Sequence, residues 1–479
     1  MSDVSSSGAS QGGSTSTAVA PRVFDWKSAF SVAFAFISPI VALYGIFFLV
    51  FLAAGPASWW AFVIVLVAQV LVAMVFGQLA SKWPISGGVY AWTKRLLGAT
   101  AGWFSGWAYI WTQMIAIGSA AYIAMLFVPA VLGIEAFDPM SQVLWAVVFI
   151  LVGTGLNLLG TKALKAVAIG AVIIEVIGSI GLGAYLLLFK QTQPITVIFE
   201  SFGSGYGEGP WIWSGLLAAV AFVGWAFVGF ESAGDIAEEV KNPERAVPKA
   251  MIFSILTVGI VVLFSALAVI LAMPSIEAAV SGESVDPVAD TIIFHLGAEV
   301  VAPLFGMFVL AFLATFVTAQ AAASRVIWSY ARDNMLPGSK ALSKLSSGAK
   351  VPANAILITA IVPILVVSTS LLGAGYQVLV LFAIAGFYIS FAFPVLGLAK
   401  RLSDGSFKAG EFNLGKWAKP ITYVAAVWVL FELVNIAWPR DTASPWYIQY
   451  GVVLIVVIVS LVGVLAYSAR KKQILASNS

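Results

Sequence analysis

The sequence predicts an all-α polytopic membrane protein with twelve transmembrane helices. Three observations carry that prediction. Of the 479 residues, 61% are hydrophobic and 10% are charged, against about 45–50% apolar and about 25% charged in an ordinary soluble domain. Such a chain cannot cover itself with polar surface in water. Its apolar residues fall into twelve runs, each near the roughly 20 residues that a bilayer core takes per helix. Its basic residues then divide between the two sides as membrane topology requires.

The runs cover about 28–53, 58–80, 99–131, 141–161, 165–189, 211–236, 249–273, 299–328, 353–373, 376–399, 419–438 and 446–469. The third and eighth are long enough to tilt. An even count puts both termini on one side. That side holds all but Lys190 and Arg440 of the 25 Lys and Arg residues, including Arg22, Lys27, Lys82, Lys94, Arg95, Lys241, Arg245, Lys249, Arg325, Arg332, Lys400, Arg401 and Arg470. The opposite loops carry Glu135, Asp138, Glu200, Glu208, Glu277, Glu283, Asp286, Asp290, Glu299 and Asp441. Positive charge is retained inside, so the expectation is a multi-pass protein of the plasma membrane with both termini cytoplasmic. Trp59, Trp60, Trp83, Trp211, Trp213, Trp438 and Trp446 sit at span ends as interfacial anchors. Residues 1–20 are rich in Ser, Gly, Thr and Ala and read as a disordered tail. They lack the pattern of a cleaved signal peptide, so the first apolar run is expected to remain as the first helix.

Composition also excludes functions. The net charge of +3 is spread over short intervals between helices, with no basic stripe for a nucleic-acid partner. Cysteine is absent and His295 is the one histidine. An integral-membrane enzyme would need clustered His, Cys or Asp at one face, and a channel would need charge rings or a repeated filter sequence. The loop Gly203-Ser204-Gly205-Tyr206-Gly207-Glu208-Gly209 mimics a phosphate loop but lacks the following Lys-Ser/Thr. No catalytic residue, no cofactor and no metal site is expected.

Two spans are interrupted. The first reads Phe36-Ile37-Ser38-Pro39-Ile40-Val41, and its proline removes an N–H and clashes with the preceding turn. The sixth reads Gly224-Trp225-Ala226-Phe227-Val228-Gly229-Phe230-Glu231-Ser232-Ala233-Gly234-Asp235, interrupted by three glycines and a carboxylate. Irregular backbone at membrane depth must face protein or a water-filled cavity. Interruptions in corresponding positions of two halves mark a binding site built on an inverted repeat. Spans one and six correspond if spans one to five and six to ten repeat with opposite topology.

Four blocks then resemble one family. Gly229-Phe230-Glu231-Ser232-Ala233-Gly234-Asp235, followed by Glu238-Glu239-Val240-Lys241-Asn242-Pro243-Glu244-Arg245-Ala246-Val247-Pro248-Lys249-Ala250, resembles the sixth-helix signature of the amino acid–polyamine–organocation superfamily. Pro84-Ile85-Ser86-Gly87-Gly88-Val89-Tyr90-Ala91-Trp92 resembles its loop after the second helix. Ser324-Arg325-Val326-Ile327-Trp328-Ser329-Tyr330-Ala331-Arg332-Asp333, with Leu336-Pro337 and Val351-Pro352-Ala353-Asn354, resembles its segment between helices eight and nine. Phe412-Asn413-Leu414-Gly415 is similar to the amino acid/choline branch. One departure is that Ser38-Pro39-Ile40 replaces the usual glycine-rich break.

The resemblance implies a five-plus-five inverted repeat with two added C-terminal helices, a permease that imports or exchanges amino acids or related amines. Residues 1–24 would be a cytoplasmic tail, 25–401 the transport core, 402–418 a cytoplasmic loop, 419–469 the last two helices and 470–479 a second tail. A substrate carboxylate would meet the backbone from Ser38 through Pro39 and Ile40 to Val41. Its ammonium would meet carbonyls near Ile37 and from Phe222 to Ala226, with Trp225 covering it and Phe227 close by. A quaternary or decarboxylated amine would lean instead on an aromatic cage from Trp225, Phe227, Trp107 or Trp111.

Acidic residues in mid-span cost about 2.5–3.5 kcal/mol on insertion scales and are functional by default. Glu231 is expected to form an inner gate and carry a proton, with Tyr109 and Tyr388 within hydrogen-bond reach. Glu175, in an apolar stretch of span five, is placed to bind a proton or cation beside the first break. Glu432 on span eleven is assigned to packing or dimer contacts. Thr315 and Thr318 are not an adjacent hydroxyl pair, which favours H+ over Na+. The partners are therefore a small amino acid or amine, protons and the bilayer, with a homodimer left open.

Overall fold

The computed structural model describes residues 22–134, 136–206, 210–284, 286–372, 376–440 and 445–476. The expected tail over 1–20, the end of the C-terminal tail, Glu135, Glu208, Asp441, and Gly207 and Gly209 of the glycine loop lie outside those residues. Among the described residues, twelve helices are long and apolar enough to cross a membrane. The one β-type contact among them is an isolated parallel bridge between Phe24 and Val240.

Span one is built in three pieces, Trp26–Ile37, Pro39–Tyr44 and Phe47–Ala54. Asp25 starts it with a reciprocal cap. Its Oδ1 accepts from the Ser28 N–H at 2.8 Å, while Ser28 Oγ accepts from the Asp25 N–H at 2.9 Å. A turn over Gly55–Ser58 leads into span two, Trp59–Lys82. Gly88–Leu97, read from the sequence as loop, is a helix that starts on the left-handed Gly87 (φ 94°). Span three is Ala99–Leu126 with a continuation Val128–Leu132, and span four is Pro139–Leu158. Span five runs Thr161–Glu175, widens into a π-turn over Val176–Gly181 and ends as Leu182–Phe189.

Span six enters as Ile212–Leu216 and Leu217–Val223, tightens over Gly224–Phe227 and becomes helical again at Ser232–Asp235. Spans seven to ten are Pro243–Ala272, Val301–Arg332, Ala353–Ser368 and Tyr376–Ser403. Ala418–Ala437 and Gly451–Ala476 are spans eleven and twelve. Two short helices, Ile276–Val280 and Pro287–Leu296, fill the connection between spans seven and eight. The apolar pattern left that connection unassigned because neither helix is long enough to cross a bilayer.

Packing puts the broken spans inside. About 83% of span one's most apolar window and 72% of span six's is buried in protein, against 11% for span twelve. Span two packs along span seven, span three along span ten, and span eight along span five. The first pair maps onto itself, and the other two onto each other, when spans one to five are exchanged with spans six to ten. The chain thus has the five-plus-five repeat with two further helices. Exposed apolar side chains such as Leu188, Val427 and Leu465 lie on the outer spans, a surface that lipid covers.

Candidate functional site

The first break centres on Ser38, whose φ of 50° lies in the left-handed region that favours glycine. The side chain compensates for the missing helix bonds. Ser38 Oγ accepts from the Val41 N–H at 3.2 Å and donates to Glu175 Oε1. Pro39 starts the next half-helix where no N–H is needed. Glu175 Oε2 accepts from the Ile40 N–H at 2.9 Å, with Ser179 Oγ at 3.4 Å from the same oxygen. Glu175 is the last residue before the π-turn of span five, a local irregularity that recurs at functional positions.

In this structure the backbone donors from Ser38 to Val41, where a substrate carboxylate was expected, are engaged within the protein. The Ser38 N–H bonds to Phe34 O at 2.7 Å, Pro39 has none, and the Ile40 and Val41 N–H groups are held by Glu175 and Ser38. The protein's own Glu175 carboxylate stands on the Ile40 donor and the Ser38 hydroxyl on the Val41 donor. The physical reason is the sequence departure itself, since a serine in the glycine position adds a hydroxyl that ties the break to span five.

The second break brings span six against the first. Val228 is extended (φ −106°, ψ 162°) and Gly229 has φ 103°. A Cβ on Gly229 would stand 2.8 Å from the Phe36 ring, so this close approach of the two breaks requires glycine. Between them lies a small cavity of about 20 Å³ lined by Phe36, Ile37, Val41, Ala116, Ala120, Trp225, Val228, Thr315, Ala319 and Phe387. No charged side chain lines it. Its one side-chain hydroxyl, on Thr315, donates to Ala35 O at 2.8 Å.

Of the residues assigned from sequence, Ile37, Val41 and Trp225 line this cavity. Ser38, Pro39 and Ile40 are buried in the break behind it, and Phe222 and Ala226 are buried without joining the lining. Phe227 faces elsewhere, its ring meeting Phe62 edge-on at 6.5 Å. The aromatic cage is not assembled. Trp107 donates to Val459 O at 3.0 Å and lines, with Trp111, a separate cavity between spans three, ten and twelve. Ala116, Ala120, Ala319 and Phe387 were missed, because small or apolar residues at helical spacing read as packing.

Beyond the sixth break, Glu231 is fully buried, and its Oε2 accepts from the Gly229 N–H at 2.9 Å. Tyr109 Oη lies 3.1 Å from Glu231 Oε1 and 2.8 Å from Asp235 Oδ2. Tyr109 is therefore where the sequence reading placed it. Tyr388 is not. Its hydroxyl lies beside Gly224, 3.7 Å from where a Cβ would be, and its ring meets that of Trp428 at 6.4 Å. The Tyr388 hydroxyl is buried without a hydrogen-bond partner and so does not bond Glu231. Asp235, also fully buried, was overlooked although it stands four residues after Glu231.

The end of the bundle that carries most basic residues is closed by ion pairs. Arg325 Nε meets Glu239 Oε1 at 2.9 Å, both buried, and Arg332 makes two 2.8 Å bonds to Glu238. Lys94 Nζ meets Asp333 Oδ2 at 2.7 Å, and Tyr90 Oη donates to the same oxygen at 2.6 Å. The segment after span six is thereby latched to span eight. Phe24 joins from the other side, donating its N–H to Glu239 O and accepting from the Lys241 N–H. Elsewhere, buried Glu432 accepts from Asn435 Nδ2 at 3.2 Å, and His295 Nε2 lies 2.7 Å from Ala272 O. Among the described residues, no group of His, Cys, Asp and Glu could hold a metal ion.

Two interrupted helices facing one small cavity inside an inverted repeat are the architecture of a membrane carrier. The chain belongs to the amino acid permease family, whose sequence profile matches residues 24–462. Among similar proteins, an uncharacterised amino-acid permease of Schizosaccharomyces pombe is 26% identical over 88% of this chain and 78% of its own. The branched-chain amino acid permease BcaP of Lactococcus lactis is 28% identical over 72% of this chain and 74% of its own. A mitochondrial cationic amino acid transporter of Arabidopsis thaliana is 27% identical over 64% of this chain and 51% of its own.

Proposed function

We propose that this amino acid permease is a secondary active transporter of the plasma membrane, working by alternating access and driven by protons, with both termini cytoplasmic and 25–401 as the transport core. The cavity between the two breaks carries the reading. At the second break a half-helix end offers carbonyls and its dipole to a zwitterion's ammonium, while its carboxylate would take the Ile40 and Val41 N–H groups over from Glu175 and Ser38. The carbonyls near Ile37 and from Phe222 to Ala226 receive the ammonium, and Trp225 covers it. An all-apolar lining, apart from Thr315, favours a neutral substrate with an aliphatic side chain, in line with the name of the Lactococcus relative. Glu231 with Tyr109 forms the inner gate and takes the proton, and Glu175 supports the first break.

A second reading has its own observation. Because Glu175 holds the Ile40 donor, an amine without a carboxylate would need no exchange of partners at the first break. Uptake into proteoliposomes separates the two. The panel is labelled leucine, arginine, GABA, choline and putrescine, each with and without an inward proton gradient. Leucine uptake that rises with the gradient, is indifferent to sodium and exceeds arginine uptake is the expected result. Uptake confined to choline or putrescine selects the second reading. If no solute moves, both are wrong.

A further inference from the structure

The carboxyl groups of Glu231 and Asp235 cannot both be ionised with the contacts they make. Tyr109 Oη stands 3.1 Å from Glu231 Oε1 and 2.8 Å from Asp235 Oδ2. A phenol has one proton to donate, and an ionised carboxylate can only accept. One of the two contacts therefore needs a proton residing on a carboxyl group. A second observation is independent of that count. Asp235 Oδ1 is fully buried and no donor reaches it, as is true of the neighbouring Ser232 Oγ. An ionised carboxylate would leave that oxygen as an uncompensated buried charge.

No cation substitutes for the proton. Among the described residues, Arg325 is engaged by Glu239, Arg332 by Glu238 and Lys94 by Asp333, and none forms an ion pair with Glu231 or Asp235. The titratable neighbours of the pair are Tyr109 and each other. Its ends also point to different places. Glu231 is bonded to the Gly229 N–H in the second break, whereas Asp235 Oδ1 lies against Gly88, at the start of the Gly88–Leu97 helix.

We infer that Glu231, Tyr109 and Asp235 form one relay that holds a single proton between the break and the basic end of the bundle. The inference rests on the proton-driven reading above and extends it from Glu231 to Asp235. In one state Asp235 Oδ2–H donates to Tyr109 Oη, and Tyr109 Oη–H donates to Glu231 Oε1. Moving both protons one step, from Asp235 to the phenol oxygen and from the phenol to Glu231, leaves Asp235 ionised, Glu231 neutral and Tyr109 unchanged. Charge and atoms balance, and no other reactant is needed.

Infrared spectroscopy of the purified full chain tests the shared proton without requiring transport. Glu231→Gln, Asp235→Asn and the double variant should each lose the same protonated-carboxyl band, because either substitution leaves one ionised carboxylate bonded by Tyr109. A larger loss in the double variant than in either single one would mean two separate protons, and an unchanged band in Asp235→Asn would mean none on the pair. Both overturn the proposal. In proteoliposomes, Asp235→Asn should keep substrate exchange, which reports a folded carrier. It should lose gradient-driven accumulation, about tenfold per pH unit at one proton per substrate. If Asp235→Asn still accumulates as wild type does, the relay is wrong while proton coupling stands. A wild type that ignores the gradient, yet shows the shared band, retains the proton pair but refutes the relay's role in transport and the proton-driven reading with it.

Discussion

Two buried carboxylate sites flank the two broken helices, and their hydrogen-bond counts differ. At the first break, Glu175 receives Ser38 Oγ–H, Ile40 N–H and the more distant Ser179 Oγ–H, every one a donor with a proton to give. An ionised carboxylate satisfies that geometry without further help. At the sixth break, two carboxyl groups share one phenol and leave Asp235 Oδ1 bare. The first site is complete as it stands and the second is one proton short. Equal burial, on opposite halves of the inverted repeat, therefore gives one acid suited to holding a half-helix in place and one pair suited to exchanging a proton.

The largest effect that can break this comparison is on stability at the first site. Glu175→Ala leaves the Ile40 N–H and the Ser38 hydroxyl buried without an acceptor, at a cost of about 1–3 kcal/mol for each group so stranded. Asp235→Asn replaces a group that is already neutral in one relay state, and the expected cost is within about 1 kcal/mol. Thermal unfolding in detergent should rank Glu175→Ala well below wild type and Asp235→Asn near it. The reverse ranking would mean that Asp235 is the ionised, fully bonded acid and would invert the assignment.

A smaller effect follows from the wall behind Asp235. Gly88 has φ 34°, and a Cβ there would come within 2.5 Å of Asp235 Oδ1. Gly88→Ala must move either the helix start or the carboxylate, and the Asp235 side chain is the softer of the two. The expected outcome is a folded protein whose substrate exchange is retained and whose gradient-driven uptake falls part of the way toward that of Asp235→Asn. Full retention of the gradient response would show that Asp235 can leave Tyr109 without consequence.

The fold was legible because its signals are additive along the chain. Apolar runs, the side preference of Lys and Arg, and the Pro39 and Gly229 interruptions each act locally, and the twelve helices follow. Glu175 beside the first break and Tyr109 beside Glu231 were also legible, since an unpaired acid in an apolar stretch must find donors. The cavity was not. Ala116 and Ala120, one turn apart on span three, matter because small side chains leave room there, and sequence gives an alanine pair the same appearance in any packed helix. Asp235 was hidden for a different reason. It lies at the end of an apolar stretch, where an acid ordinarily reaches water, and in the fold Tyr109 and the start of the Gly88–Leu97 helix stand against it instead. Tyr388 and Trp107 meet Trp428 on span eleven and Val459 O on span twelve, contacts between helices that the pattern within one helix does not reveal.

The smallest effect separates backbone strain from hydrogen bonding at Ser38. A non-glycine residue in the left-handed region costs about 1–2 kcal/mol, and the Ser38 hydroxyl offsets this through its bonds to Val41 N–H and Glu175. Ser38→Ala keeps the strain and loses both bonds. Ser38→Gly loses the same bonds and relaxes the strain, though glycine adds about 0.5–1 kcal/mol of chain entropy. Glycine should therefore be the more stable of the two variants by about 0.5–1 kcal/mol, with both below wild type. Alanine equal to glycine in thermal unfolding would mean that residue 38 carries no net strain. In that case the first break would be held by Pro39 alone, and the tie from Ser38 to Glu175 would be a consequence of the break rather than what positions it.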